Sequence, residues 1–143
     1  MLAAFPQADY HGLEISGYLC ERLGWIPGSV IDYAAEDPYD LVICREVLEH
    51  LTVRQVMQAV SNMVRMSSRF IYVTTRFHPS PVNLLDFTTQ FDVDPSHITL
   101  LNKDMLRLMF VLEGCRSRPD LEARMDWGNK GRVLVLEKLP PTA

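Results

Sequence analysis

Four consecutive apolar residues, Leu41 to Cys44, are opened by Tyr39–Asp40 and cut off by Arg45, Glu46, Glu49 and His50. A run so short and so uniformly apolar reads as a strand buried on both faces, the habit of parallel sheets. Parallel strands need a crossover of about a dozen residues, usually helical, so this stretch asks for helices around it.

The rest of the chain supplies them. Residues 8–16 hold a strand ending at Glu14. A brief helix follows over 17–25, with Ser16 as N-cap and Gly24 as its C-terminal stop. Residues 28–33, Gly-Ser-Val-Ile-Asp-Tyr, read as the next strand, and residues 39–44 as the apolar one. Thr52 and Gln55 form a T-x-x-Q capping box. Val53, Val56, Met57, Val60, Met63 and Val64 then recur at helical spacing, with the methionines as core filler.

Residues 69–75 read as another strand. Residues 75–102 are proline-punctuated and aromatic, in the manner of a binding loop, with Phe77, Phe87 and Phe91 able to roof a substrate or pin the loop. A helix capped by Asn102 and stopped by Gly114 follows. Two strand-like runs around Gly-Asn-Lys-Gly at 128–131 suggest a terminal hairpin.

This alternation predicts an α/β fold with a mostly parallel sheet. In such sheets, ligands gather at the carboxyl ends of the strands, where Glu14, Asp32, Tyr33, Cys44, Arg45, Glu46, Thr74, Thr75 and Arg76 fall.

The chain has 143 residues, 48% of them hydrophobic, and a net charge of −4. That is the size of one domain, taken as 1–139 with 140–143 as a flexible tail. The acidic balance argues against a basic nucleic-acid-binding face. Cys20, Cys44 and Cys115 are scattered and odd in number, which suits reduced thiols and a cytoplasmic protein. No apolar stretch approaches the ~18 residues of a membrane span.

Taken together, these segments resemble the class I S-adenosylmethionine-dependent methyltransferases. Tyr-Asp-Leu-Val-Ile-Cys-Arg-Glu-Val-Leu-Glu-His at 39–50 resembles that family's strand-four segment, F/Y-D-L-V-x-x-x-E-V-L-E-H. Residues 5–16 are similar to its second strand, 94–110 to its D-P-T-H element and following helix, and 124–138 to its closing antiparallel hairpin. The resemblance implies a Rossmann-like methyltransferase sheet, S-adenosylmethionine as cofactor and a small-molecule or glycan-like acceptor.

It further implies that Glu14 takes the ribose hydroxyls, with Ile15 beside it. Asp32 and Tyr33 border the adenine. Cys44 and Arg45 lie under the methionine portion, more by backbone than by side chain. None of the seven glycines forms the family's G-x-G-x-G turn. The family's first strand is therefore expected to be absent, with a partner chain or upstream segment completing the sheet or, alternatively, strand two pairing directly with strand four.

Glu46, Glu49 and His50 have the i, i+3, i+4 spacing that shares one face of a helical turn. Two carboxylates and an imidazole can hold a divalent cation, with His97 as a fourth ligand. The same set resembles the family's metal-dependent branch, which includes small-RNA 2′-O-methyltransferases and ubiquinone-pathway O-methyltransferases. The preferred reading is plainer: His50 lines the methionine or substrate pocket. An acceptor that must lose a proton has His50, Glu46 and His78 as candidate bases.

Two other functions stay open. A degenerate relative could serve as a binding or dimerisation module without catalysis. A nicotinamide-dependent dehydrogenase would also suit an acidic residue ending strand two, and a parallel final strand would favour it.

Overall fold

The computed structural model describes residues 3–80, 85–86 and 94–142. Its centre is a four-stranded mixed sheet of β3 (Tyr39–Arg45), β4 (Ser67–Thr74), β8 (Val133–Lys138) and β7 (Cys115–Ser117), in the order β3-β4-β8-β7. β3 and β4 run parallel, and β8 lies antiparallel to both β4 and β7. That antiparallel strand removes the ground for a dehydrogenase, and β3-β4-β8-β7 matches the last four places of the order 3-2-1-4-5-7-6 usual in the methyltransferase family that the sequence resembles.

Between β3 and β4 the chain crosses over through α2 (Val53–Met66). Thr52 closes the expected capping box. Its hydroxyl accepts from Gln55 N, and the Gln55 side chain accepts from Thr52 N at 2.9 Å. Thr52→Ala is expected to cost about 1 kcal/mol, read as a lower urea midpoint with an unchanged slope.

One face of the sheet carries Val42 and Cys44, Ile71 and Val73, and Leu134 and Leu136 in register. Against it pack Val56, Ala59, Val60 and Met63 of α2, with Leu106 and Phe110 of α3 (Lys103–Leu112). α3 begins at Asn102, whose side chain accepts from Asp104 N and Met105 N as expected.

On the opposite face, Leu41 and Ile43 lie beside Phe70 and Tyr72. There Leu41 is 48% and Ile43 37% exposed. The expectation of burial on both faces therefore fails for β3. Its outer edge has no ladder partner among the described residues.

The N-terminal elements form a separate parallel pair, β1 (Leu13–Glu14) and β2 (Ile26–Pro27), joined by α1 (Gly17–Leu23). Ser16 caps α1, and Gly24 ends it at φ 66. The strand expected over 28–33 is instead a turn. The Ser29 hydroxyl accepts from Ile31 N, and Ser29 O accepts from Asp32 N and Tyr33 N. A serine after glycine offers the backbone this local alternative to a ladder.

Asn62 fastens this turn to the core. Its buried amide donates to Val30 O at 3.0 Å and to Tyr33 O at 2.9 Å.

The expected terminal hairpin is also different. β7 and β8 do pair, but residues 119–125 between them form α4 (Pro119–Met125). Pro119 sits in the first turn, where its fixed φ favours a helix, and Asp120 and Glu122 complement the helix dipole. The buried Glu122 carboxylate accepts from Val135 N, tying α4 to β8.

A short ladder pairs β5 (Leu85–Asp86) with β6 (Leu100–Leu101). It returns the chain from the long segment to the start of α3. Phe87 and Phe91 lie outside the described residues.

Candidate functional site

At the carboxyl end of β3 the backbone breaks direction. Glu46 adopts φ 52, in the left-handed region, while its N–H donates to Thr74 O at 2.9 Å. A side chain there costs on the order of 1 kcal/mol. The kink sends the chain into a single 3-10 turn, Leu48–His50, before α2 starts at Val53. Glu46, Glu49 and His50 therefore do not share an α-helical face as their spacing suggested. Leu48, 1% exposed, anchors the turn and carries Glu49 inward with it.

Glu49 is 2% exposed. Its Oε2 accepts from the Thr75 hydroxyl at 2.9 Å, while Oε1 is buried with no hydrogen-bond partner. Burial pushes this carboxyl above its usual range. Its own backbone N–H and then the Thr75 hydroxyl oppose the shift, and contact with the Glu46 carboxyl adds to it.

The Glu49 carbonyl accepts from both Ile98 N and Thr99 N. The Thr99 hydroxyl donates to Leu51 O. These bonds clip residues 96–99 onto the turn and bring His97 to His50, with ring centroids 4.7 Å apart.

The two imidazoles have assigned orientations. His50 Nδ1 faces two Ser96 oxygens, the carbonyl at 3.2 Å and the hydroxyl at 3.1 Å, and since that hydroxyl donates to Asp94 Oδ1, Nδ1 is the donor to both. His97 Nε2 lies 3.5 Å from the Asp94 carboxylate. The Ser96 hydroxyl and backbone N–H hold Asp94 below the usual carboxylate range, with His97 and His50 adding smaller contributions. One ligand atom each from Glu49, His50 and His97 lies within 4.8 Å of the others.

The remaining expected residues are dispersed. Glu46 is exposed and meets only the edge of that cluster, through Glu49. His78 is buried and stands outside it: its N–H donates to Leu101 O and its Nδ1 accepts from Ser80 N.

Glu14 ends β1, with Oε1 accepting from Ile15 N at 2.9 Å and Ser16 N at 3.0 Å, and Ile15 is exposed. Asp32 is exposed and Tyr33 packs against the core. Cys44 is buried, and desolvation, then Glu49 and Glu46, pushes its thiol up to about 12. Arg45 is exposed at the end of β3. Ser96, which holds His50, was not singled out from the sequence, and Thr75, which holds Glu49, was named there only for its position. Thr75 had one legible signal, its place at the carboxyl end of β4.

No protein-family model and no curated protein matches the sequence. Solved structures do match the fold. An amino pentose methyltransferase from Micromonospora echinaspora, involved in calicheamicin biosynthesis and solved with bound SAM, superposes with a TM-score of 0.68 at 15% identity, over 96% of this chain and 78% of that one. The glycopeptide N-methyltransferase MtfA in complex with (S)-adenosyl-L-methionine gives a TM-score of 0.65 at 13% identity, over 90% and 76%. Magnesium protoporphyrin IX methyltransferase from Synechocystis with bound SAH gives 0.57 at 13% identity, over 80% and 51%. The chain thus spans about half the length of that last enzyme.

Among the described residues, no helix is long and apolar enough to cross a membrane. The sheet order, the antiparallel β8 and these superpositions agree: the chain has the fold of the class I S-adenosylmethionine-dependent methyltransferases.

Proposed function

We propose that the chain serves methyl transfer from S-adenosylmethionine to a hydroxyl of a small-molecule or glycan-like acceptor, at a divalent-cation site formed by Glu49, His50 and His97 with Glu46 alongside. The observation that carries this reading is Glu49 Oε1, a buried carboxylate oxygen with no donor, in a cluster with two imidazoles. Leaving such an atom unsatisfied costs about 1–3 kcal/mol. Carboxylate and imidazole together form a donor set for a divalent metal. A cation bound there would lower the pKa of an acceptor hydroxyl.

The chain's own residues do the remaining work. Glu14 presents a carboxylate, steadied by two amides, at the end of β1 for the ribose diol. Ile15 adds apolar surface beside it. Asp32 and Tyr33 take the adenine edge and face, and the backbone of Cys44 and Arg45 supports the methionine end. The sulfonium is an activated donor, so their task is alignment and exclusion of water. Glu46, which stands outside the cluster, is the base for the acceptor's proton; His50 as a ligand of the cation has no lone pair to spare, and His78 is tied by its own hydrogen bonds.

The glycan-like acceptor draws support from two of the superposed enzymes, one acting on an amino pentose and one an N-methyltransferase of a glycopeptide, while the choice of a hydroxyl rests on the cation site alone. A second reading, a binding module without catalysis, is favoured by the outer edge of β3, which has no ladder partner among the described residues. A strand laid along that edge, from a partner chain or a further segment, would complete the cofactor's side of the pocket.

Incubating the chain with methyl-labelled S-adenosylmethionine, Mn²⁺ and a panel of amino sugars and catechols distinguishes the two. The expected result is label transfer to a hydroxyl that EDTA abolishes. Transfer insensitive to EDTA would contradict the cation role. Cation binding without any transfer would favour the binding module.

A further inference from the structure

We infer that Thr75 is the positioning residue of this cation site: its hydroxyl fixes the rotamer of Glu49 and so decides which carboxylate oxygen is offered to the cation. The inference rests on the proposed cation reading and deepens it.

Thr75 is 3% exposed and follows directly on β4, the strand parallel to the one that leads into the site. Its Oγ1–H donates to Glu49 Oε2 at 2.9 Å, a bond between two buried side chains. With Oε2 occupied, Oε1 is the oxygen left without a donor.

The same strand end holds the other side of the turn, because Thr74 O accepts from Glu46 N. Thr75 N in turn donates to Arg132 O at 3.3 Å, beside the start of β8. The threonine is therefore fixed to the sheet, and Glu49 is fixed to the threonine.

His50 is held in a parallel way, with its Nδ1 bonded to Ser96 O and the Ser96 hydroxyl. Two ligands on the turn are thus oriented by two separate segments, β4's end and residues 94–97. Metal-ligating groups characteristically have such outer partners, and losing one typically lowers metal affinity 10–100-fold. A buried threonine with only a structural role would affect folding and leave cation affinity alone.

The test is Mn²⁺ binding by the full chain, measured by calorimetry, for wild type, Thr75→Val and Thr75→Ser. Valine keeps the shape and loses the donor; serine keeps the donor. The expected result is one Mn²⁺ per wild-type chain, affinity about 10–100-fold weaker in Thr75→Val, and recovery to within about threefold in Thr75→Ser, well inside that outer-partner loss.

Equal affinity of wild type and Thr75→Val would overturn the positioning role while leaving the cation site standing. No Mn²⁺ binding by wild type would overturn the site itself, and the positioning role with it. Should Thr75→Val lose its native circular dichroism, Thr75→Ala, which removes the same donor from a smaller side chain, decides in its place.

Discussion

Glu49→Gln is expected to make the cation-free protein more stable, by about 1 kcal/mol at pH 7, while weakening Mn²⁺ binding by more than the ~100-fold upper range for losing an outer partner. The amide keeps an oxygen to accept the Thr75 hydroxyl and gains an N–H to donate toward Glu46. It also removes an ionisable group from a site where burial disfavours its charge.

The sign with pH follows from the direction of the shift. Glu49's folded-state pKa is raised, so the folded protein binds more protons than the unfolded chain in the window between the two values. That window opens near the ordinary value of 4.5. Through it, wild-type stability falls as pH rises. Below it both states are protonated and the penalty vanishes.

The advantage of Glu49→Gln is therefore greatest at neutral pH and shrinks as pH falls toward 4, which parallel urea titrations at the two pH values would read. A variant less stable than wild type at pH 7 would mean that Glu49 is retained for structure, not for a ligand.

Asn62→Leu acts in the opposite direction. Asn62 is 2% exposed, and its amide supplies donors to two main-chain carbonyls, Val30 O and Tyr33 O. Leucine fills the same space and favours the helix slightly, yet leaves both carbonyls without that partner. The net loss is about 2–4 kcal/mol.

The loss also has a functional address, since the turn so released carries Asp32 and Tyr33. A lower urea midpoint should accompany weaker S-adenosylmethionine binding wherever wild type binds it. A stability change within about 0.5 kcal/mol, the usual range for surface substitutions, would show that water replaces the amide and that this turn is held by Val30 and Ala35 packing instead.

What could be read from the sequence was local. Thr52–Gln55, Ser16, Gly24 and Asn102 announce helix ends because capping uses residues three or four apart. The apolar stripe of α2 is legible for the same reason. Residues 119–125 were misread because Leu121, Ala123 and Met125 alternate with charged residues as a strand would. The start of a helix at Pro119 outweighs that period.

The turn at 28–33 was missed because Val-Ile-Asp-Tyr has strand propensity, while the Ser29 hydrogen bonds and the Asn62 clamp are contacts no propensity encodes. Exposure of Leu41 and Ile43 is likewise a matter of what lies beside β3, not of β3 itself. The site divides in the same way. Glu49 and His50 could be proposed from spacing, although the turn that presents them is 3-10 and Glu46 is carried off the shared face by its left-handed backbone. His97 reaches them only through the clip of Ile98 and Thr99 onto the Glu49 carbonyl, a tertiary contact.

Anomalous diffraction from crystals of the full chain grown with Mn²⁺ is the most direct test of the cation site. The expected result is one anomalous peak coordinated by Glu49 Oε1, His50 Nε2 and His97, with Thr75 still bonded to Glu49 Oε2. A peak at other residues, or none beside Glu49 in crystals where His50 and His97 are ordered, would contradict it.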